Sequence, residues 1–142
     1  MGSVMAPLIL EAGYGLSVWN RSPEKADHIV GLGAKKVLTP AELANTTDIV
    51  ISMLTDDAAI RAVYEGPEGL LSVPVNGKLF IDMSTLRPPT VHHLAQQVST
   101  AGASFVDAPV SGTVAPAKLG KLLVLCGASK DDFERAQQIG RA

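Results

Sequence analysis

Two kinds of segment alternate along these 142 residues: stretches with apolar positions at helical spacing, and short runs rich in β-branched residues. That alternation predicts an α/β fold, a mainly parallel sheet covered by helices. Ser3 to Ala12 is a predicted helix that ends at Gly13. Leu16 to Trp19 predicts a short strand, after which Asn20-Arg21-Ser22-Pro23 turns into a second helix. Ser22 is placed to cap that helix, with Pro23 at its first position and Lys25 and Asp27 on its polar side. The helix should end near Gly31 or Gly33, ahead of a brief strand at Lys36 to Leu38 and a short helix opened by Thr39-Pro40.

Asp48 to Met53 is a nearly continuous β-branched run, the pattern of a strand buried on both faces, and Leu79 to Met83 predicts a second buried strand. Ser104 to Asp107 and Leu122 to Cys126 are later predicted strands. Asp56 to Tyr64, an amphipathic stretch from Pro88 to Ala101, and Lys130 to Ile139 are predicted helices. The chain opens on a helix, whereas a doubly wound sheet opens on a strand whose carboxyl end delivers a glycine-rich phosphate loop. The expectation is therefore a sheet without its first strand. Gly31-Leu32-Gly33 and Gly13-Tyr14-Gly15 precede strands instead of following them, so neither is such a loop.

Composition narrows the partners more than the fold. The length suits one domain, and 46% hydrophobic residues suffice for a real core. A net charge of −2 with scattered Lys and Arg argues against a nucleic-acid surface. Cys126 is alone, so no intramolecular disulfide can form, and no Cys/His pairs stand at metal-ligand spacing. His92 and His93 are adjacent on a helix, their side chains about 100° apart, and are expected at the surface. No stretch approaches the ~18 apolar residues of a membrane span. The apolar opening Val4 to Leu10 has no basic flank and is interrupted by Pro7, unlike a signal peptide. A reducing, cytoplasmic setting with neither membrane nor nucleic-acid partner is expected.

Candidate chemistry gathers at strand ends. Asn20-Arg21-Ser22 follows a strand where a dinucleotide-binding domain meets the adenosine ribose. An acidic residue there would hold the ribose hydroxyls and repel a phosphate. Arg21 instead offers a guanidinium fork, beside neutral Asn20 and Ser22, to a 2′-phosphate. The plainer alternative is a solvated turn with a helix cap. Met53-Leu54-Thr55-Asp56 and Ser84-Thr85 close two further strands, where Thr55 and Asp56 could equally serve only as caps, and Thr85 could bond a ribose or carboxamide. Asp107-Ala108-Pro109-Val110-Ser111-Gly112-Thr113 holds a turn whose backbone N–H groups and hydroxyl suit a small carboxylate, or is an ordinary turn.

These pieces, in order and along essentially the whole chain, resemble the β-hydroxyacid dehydrogenase superfamily. They are Met1-Gly2 with Met5-Ala6, Ala12-Gly13-Tyr14, Val18 to Ser22, Ser52-Met53-Leu54, Ile81 to Thr85, and Asp107 to Gly112. The likeness is greatest to the glyoxylate and succinic semialdehyde reductase branch, with 3-hydroxyisobutyrate dehydrogenases as near relatives. The resemblance implies a Rossmann-like NADP(H)-binding domain over residues 1–142, incomplete at both ends. Gly2 would be the third glycine of the phosphate loop, with the first strand ahead of Met1 and a catalytic lysine and helical domain beyond Ala142, leaving no catalytic residue in the chain. It further implies cofactor contacts at Gly2, Asn20, Arg21, Ser22, Met53, Leu54, Thr55 and Thr85, and substrate contacts at Ser111, Gly112 and Thr113. Many relatives carry a second glycine where this chain has Thr113. The implied activity is hydride transfer to or from a short hydroxy acid or semialdehyde, in a full-length homo-oligomer, with turnover requiring the lysine. A non-catalytic NADP-binding or protein-interaction module of the same family is the alternative.

Overall fold

The runs Asp48 to Met53 and Leu79 to Met83 become neighbouring strands, because β-branched and aromatic residues fit a pleated surface that helices cover on both sides. A computed structural model describes residues 1–140. In chain order the elements are α1 (Gly2–Glu11), β1 (Ser17–Val18), a 3₁₀ turn at Pro23–Ala26 running into α2 (Asp27–Gly31), β2 (Lys35–Lys36) and α3 (Pro40–Thr46). Then come β3 (Ile49–Ser52), α4 (Asp57–Glu65), β4 (Leu79–Asp82), α5 (Pro88–Thr100) and β5 (Ser104–Asp107). A final β6 (Val110–Ser111), α6 (Val114–Lys118), β7 (Leu123–Val124) and α7 (Lys130–Ile139) follow.

The parallel strands fall into two patches: β1 beside β2, and β3, β4 and β5 in that order. Successive side chains of a strand point to opposite faces, so the second patch feeds two cores. On one face Val50 and Phe80 pack with Ile60 and Tyr64 of α4 and with Leu94 and Val98 of α5. The Tyr64 and Phe80 rings lie 5.8 Å apart and tilted by 50°. On the other face Leu79, Ile81, Val106 and Ala108 are covered by Ala136 of α7. Arg135 fastens that helix to the sheet, donating to the Ser104 hydroxyl at 3.2 Å and the Gly77 carbonyl at 3.1 Å.

The expected alternation of helices and parallel strands is present, and β4 is buried at every position. β3 differs: Val50 and Ser52 are buried, but Ile49 and Ile51 are only half-buried, because they border an open slot on the β1 side. The short strand expected at Lys36 to Leu38 lies one residue earlier, where the Leu16 and Val18 carbonyls accept from the Lys35 and Val37 N–H groups. Leu38 is left 82% exposed.

Ser22 occupies the N-cap position without a side-chain cap, since the helix begins as a tight 3₁₀ turn. Thr39 does cap α3, its hydroxyl accepting from the Glu42 N–H at 3.1 Å. The run expected as one strand from Leu122 to Cys126 contributes only β7, paired antiparallel with β6 inside the segment read as a turn. Its side chains are largely exposed, Leu123 at 61%.

Phe80→Ala should lower stability by about 3–5 kcal/mol, because the cavity left between α4 and α5 cannot collapse. Leu38→Ala should stay within about 0.5 kcal/mol. Urea unfolding midpoints of the two variants check this contrast, and equal losses would contradict the assignment of the core.

Candidate functional site

In an open parallel sheet the loops at the carboxyl ends of the strands line the ligand crevice. The end of β1 is held by an Asx turn, in which the Asn20 Oδ1 accepts from the Ser22 N–H at 2.9 Å. That bond leaves the Asn20 amide N–H₂ free to donate, beside an exposed Arg21. Arg21 reaches the field of the next strand end. The Asp56 carboxyl sits below the usual range chiefly because it accepts from the Ala59 N–H, then from the Thr55 hydroxyl, with the Arg21 charge a smaller contribution. The Asp56 Oδ1 caps α4 through the Ala59 N–H at 2.8 Å, and Thr55 donates to Oδ2 at 3.1 Å. The capping role weighed for Asp56 is thus present, and Thr55 supports it.

Ser52 and Asp82 end β3 and β4 in register, and both are buried. The Ser52 hydroxyl donates to the Asp82 Oδ1 at 2.7 Å and lies 2.9 Å from the Tyr64 hydroxyl. The Ser84 hydroxyl donates to the same Oδ1 at 2.8 Å, and its oxygen accepts from the Leu54 N–H at 2.9 Å. One carboxyl therefore ties the loops after both strands together. Sequence reasoning missed Asp82 as part of the site, together with Ser52 and Tyr64. The available signal was a Ser and an Asp each ending an apolar run one strand apart. Ser84 and Thr85, paired in the sequence reading, divide: Ser84 is buried in this network, and Thr85 is exposed.

Two cavities open at these ends. The larger, about 1260 Å³, is lined by Gly2, Asn20, Arg21, Ser22, Met53, Leu54 and Thr55, so those expected cofactor residues share one wall system. Thr85 instead lines a smaller cavity of about 200 Å³ with His92, Asp107 and Pro109. Ser111, Gly112 and Thr113 are exposed on the β6 side and line neither cavity. Gly112 has φ +141°, and a Cβ there would sit 2.7 Å from the Leu122 Cδ2, so the turn is built for glycine. Among the described residues no group of three or more His, Cys, Asp or Glu is placed to hold a metal, and no helix is long and apolar enough to cross a membrane. His92 is exposed, and His93 pairs with Glu65 at 2.6 Å.

Burial pushes the Asp82 carboxyl above the usual carboxylate range, against the lowering by its Ser52 and Ser84 hydrogen bonds. Asp107, its register partner on β5, is raised by burial and then by the Asp82 charge, and lowered by His92. Among the described residues Asp82 Oδ2 has no hydrogen-bond partner. A raised folded pKa means the folded chain binds the proton more tightly. The stabilising effect is full below the unfolded value of about 3.9 and is lost as pH rises through the folded value. Asp82→Asn should therefore gain stability relative to the parent between pH 4 and pH 8, seen as converging or crossing urea midpoints. A gap independent of pH would show that this carboxyl does not titrate as stated.

Residues 1–141 match the family described as the NAD binding domain of 6-phosphogluconate dehydrogenase. The chain is 38% identical over 136 residues to glyoxylate/succinic semialdehyde reductase 2, chloroplastic, of Arabidopsis thaliana, covering 96% of this chain and 38% of that protein. It is 37% identical over 134 residues to cytokine-like nuclear factor N-PAC of Xenopus tropicalis, covering 94% and 25%. Among solved structures, the 3-hydroxyisobutyrate dehydrogenase of Mycobacterium tuberculosis with L-serine aligns at a TM-score of 0.93 and 26% identity, over 99% of this chain and 47% of that one. The chain thus spans less than half the length of each of these relatives. Parallel strands joined by helices, ligand-facing loops at their carboxyl ends and a match over 1–141 agree: the chain belongs to the NAD-binding domain family of 6-phosphogluconate dehydrogenase.

Proposed function

We propose that residues 1–142 form the NADP(H)-holding domain of an oxidoreductase acting on a short 2- or 3-hydroxy acid or semialdehyde, such as 3-hydroxyisobutyrate, glyoxylate or succinic semialdehyde. The observation that carries this reading is the convergence of Asn20-Arg21-Ser22 and Met53-Leu54-Thr55 on one cavity, with the second loop locked to Ser84. The donor set fits a 2′-phosphorylated adenosine ribose: a guanidinium, a free amide N–H₂ and a hydroxyl, with no carboxylate at positions 20–22. Gly2 and Met53 to Thr55 would hold the remainder of the dinucleotide, and Thr85 the end that reacts. When bound, the cofactor supplies or accepts the hydride.

The chain's own residues bind and orient. The Asn20 turn fixes Arg21 at the cavity rim, and the Ser84–Leu54 bond fixes the neighbouring backbone. Ser111, Gly112 and Thr113 would anchor the substrate carboxylate through backbone N–H groups and hydroxyls, in an assembly of several copies. The names of the Arabidopsis and Mycobacterium relatives support this substrate class. The likeness to a protein named as a nuclear factor favours a second reading, a cofactor-binding or protein-interaction module without turnover.

Arg21→Ala should weaken NADPH binding by at least about tenfold and leave NADH binding unchanged, the loss of one charge-assisted contact worth roughly 1.5–3 kcal/mol. Fluorescence titration of both cofactors measures the ratio. If the NADPH-to-NADH ratio of the variant equals that of the parent, the 2′-phosphate assignment is wrong.

A further inference from the structure

Two acidic residues stand together where α4 begins, and the fold gives them different tasks. Asp56 caps its own helix through the Ala59 N–H. Asp57 turns instead to the loop after β4. Its Oδ1 accepts from the Arg87 backbone N–H at 3.2 Å, and its Oδ2 accepts from the Arg87 Nε–H. The Arg87 guanidinium, and then the Arg87 N–H, hold the Asp57 carboxyl below the usual carboxylate range, so the acceptor is charged at neutral pH.

Helix capping does not account for this contact. Pro88 and Pro89 open α5 and carry no N–H, so two of the donors that a helix start leaves free are missing here. The Thr90 and Val91 N–H groups donate to the Arg87 carbonyl at 2.9 and 3.2 Å. The Arg87 N–H lies outside the helix and belongs to the loop. An exposed ion pair would add little, and the Arg87 side chain is 81% exposed. The Asp57 side chain is only 15% exposed, so the backbone N–H is the partner it holds in place. Pro88 reinforces this by confining Arg87 to extended backbone, φ −74° and ψ 141°.

The loop of residues 83–87 is thus held at two points, and both lead back to the β3–α4 connection. The Ser84 hydroxyl accepts from the Leu54 N–H at 2.9 Å, and the Arg87 N–H donates to Asp57. Thr85 lies between these anchors, exposed, and among the described residues no turn or loop backbone hydrogen bond includes it. Its place is therefore set by the anchors on either side. They tie the loop that lines the larger cavity to the residue that lines the smaller one.

We propose that Asp57 is a positioning residue: by gripping the Arg87 backbone it fixes Thr85 against residues 53–55, so that one dinucleotide meets both at once. The inference rests on the cofactor reading above, in which Thr85 takes the reacting end. Asp57 acts through Thr85 and not on the cofactor itself. Asn20 to Ser22 are held by their own Asx turn, so the adenosine half does not depend on this latch.

The test compares the 142-residue chain with Asp57→Ala and Asp57→Asn, using NADPH and adenosine 2′,5′-bisphosphate, which carries the adenosine half alone. Asp56 still caps α4 in both variants, so the helix start survives. In Asp57→Ala the NMR order parameter of Thr85 should drop below ~0.6, the range of flexible backbone, while Phe80 and Val106 keep theirs. By titration calorimetry, NADPH binding should weaken by at least about fivefold, because binding must then order a residue that the latch had fixed. Adenosine 2′,5′-bisphosphate binding should not change. Asp57→Asn keeps an oxygen for the Arg87 N–H and should restore the Thr85 order, with NADPH affinity within about twofold of the parent. Unchanged Thr85 order in Asp57→Ala, equal weakening of both ligands, or an Asn variant no better than the Ala variant overturns the inference and leaves the cofactor reading in place. A parent chain that binds neither ligand overturns the cofactor reading and the inference with it.

Discussion

Burying a carboxyl group without a counter-charge is costly, and a fold keeps one only where its hydrogen bonds hold other parts in place. Asp82 is such a group. It is fully buried at the end of β4, and its Oδ1 is the common acceptor for hydroxyls from the end of β3 and from the loop after its own strand. Through Ser52 it meets the Tyr64 hydroxyl of α4, and through Ser84 it fixes the Leu54 backbone. Remove this acceptor, and the loops that form the cavity wall lose their shared reference point. The register that sets Ser52 opposite Asp82, and Asp82 opposite Asp107, is therefore a constraint on the site as well as on the sheet.

The same alternation that builds the network divides the apolar residues between two cores. Val50 and Phe80 face α4 and α5, and Leu79 and Ile81 face α7. The first face is closed and holds the aromatic cluster of Tyr64, Phe80 and Phe105. The second is closed at β4 and β5 but not along β3, where α1 lies over the slot with no buried residue of its own. Stability is thus concentrated away from the β1 edge. The rim residues Asn20 to Ser22 sit on the less supported patch of two-residue strands, whereas Met53 to Thr55 sit on the well-buried one. The cofactor reading asks both patches to act on one ligand.

Much of this was legible in the amino-acid order. The strands at Asp48 to Met53 and Leu79 to Met83, the Thr39-Pro40 helix start and the Pro88 helix each follow from local preference, and each is present. The six short pieces from Met1-Gly2 to residues 107–112, taken together and in order, pointed to the family that the match over residues 1–141 shows. Local preference misjudged Ser22, Leu122 to Cys126 and the degree of burial of Ile49 and Ile51. At Ser22 the cause is the local 3₁₀ start of the helix; in the other two cases the outcome depends on a neighbour distant in sequence, or on the space where none stands.

Sequence alone determined the type and order of the elements as far as β5, and the residue kinds at each strand end, because these depend on periodicity and short-range sterics. Only the tertiary structure decided which strand ends face each other. It separated Ser84 from Thr85, drew Ser52, Tyr64 and Asp82 into one network, and set Ser111 to Thr113 apart from both cavities. Register and burial are properties of paired strands, and residues 30 positions apart in the chain carry no local sign that they will share a hydrogen bond.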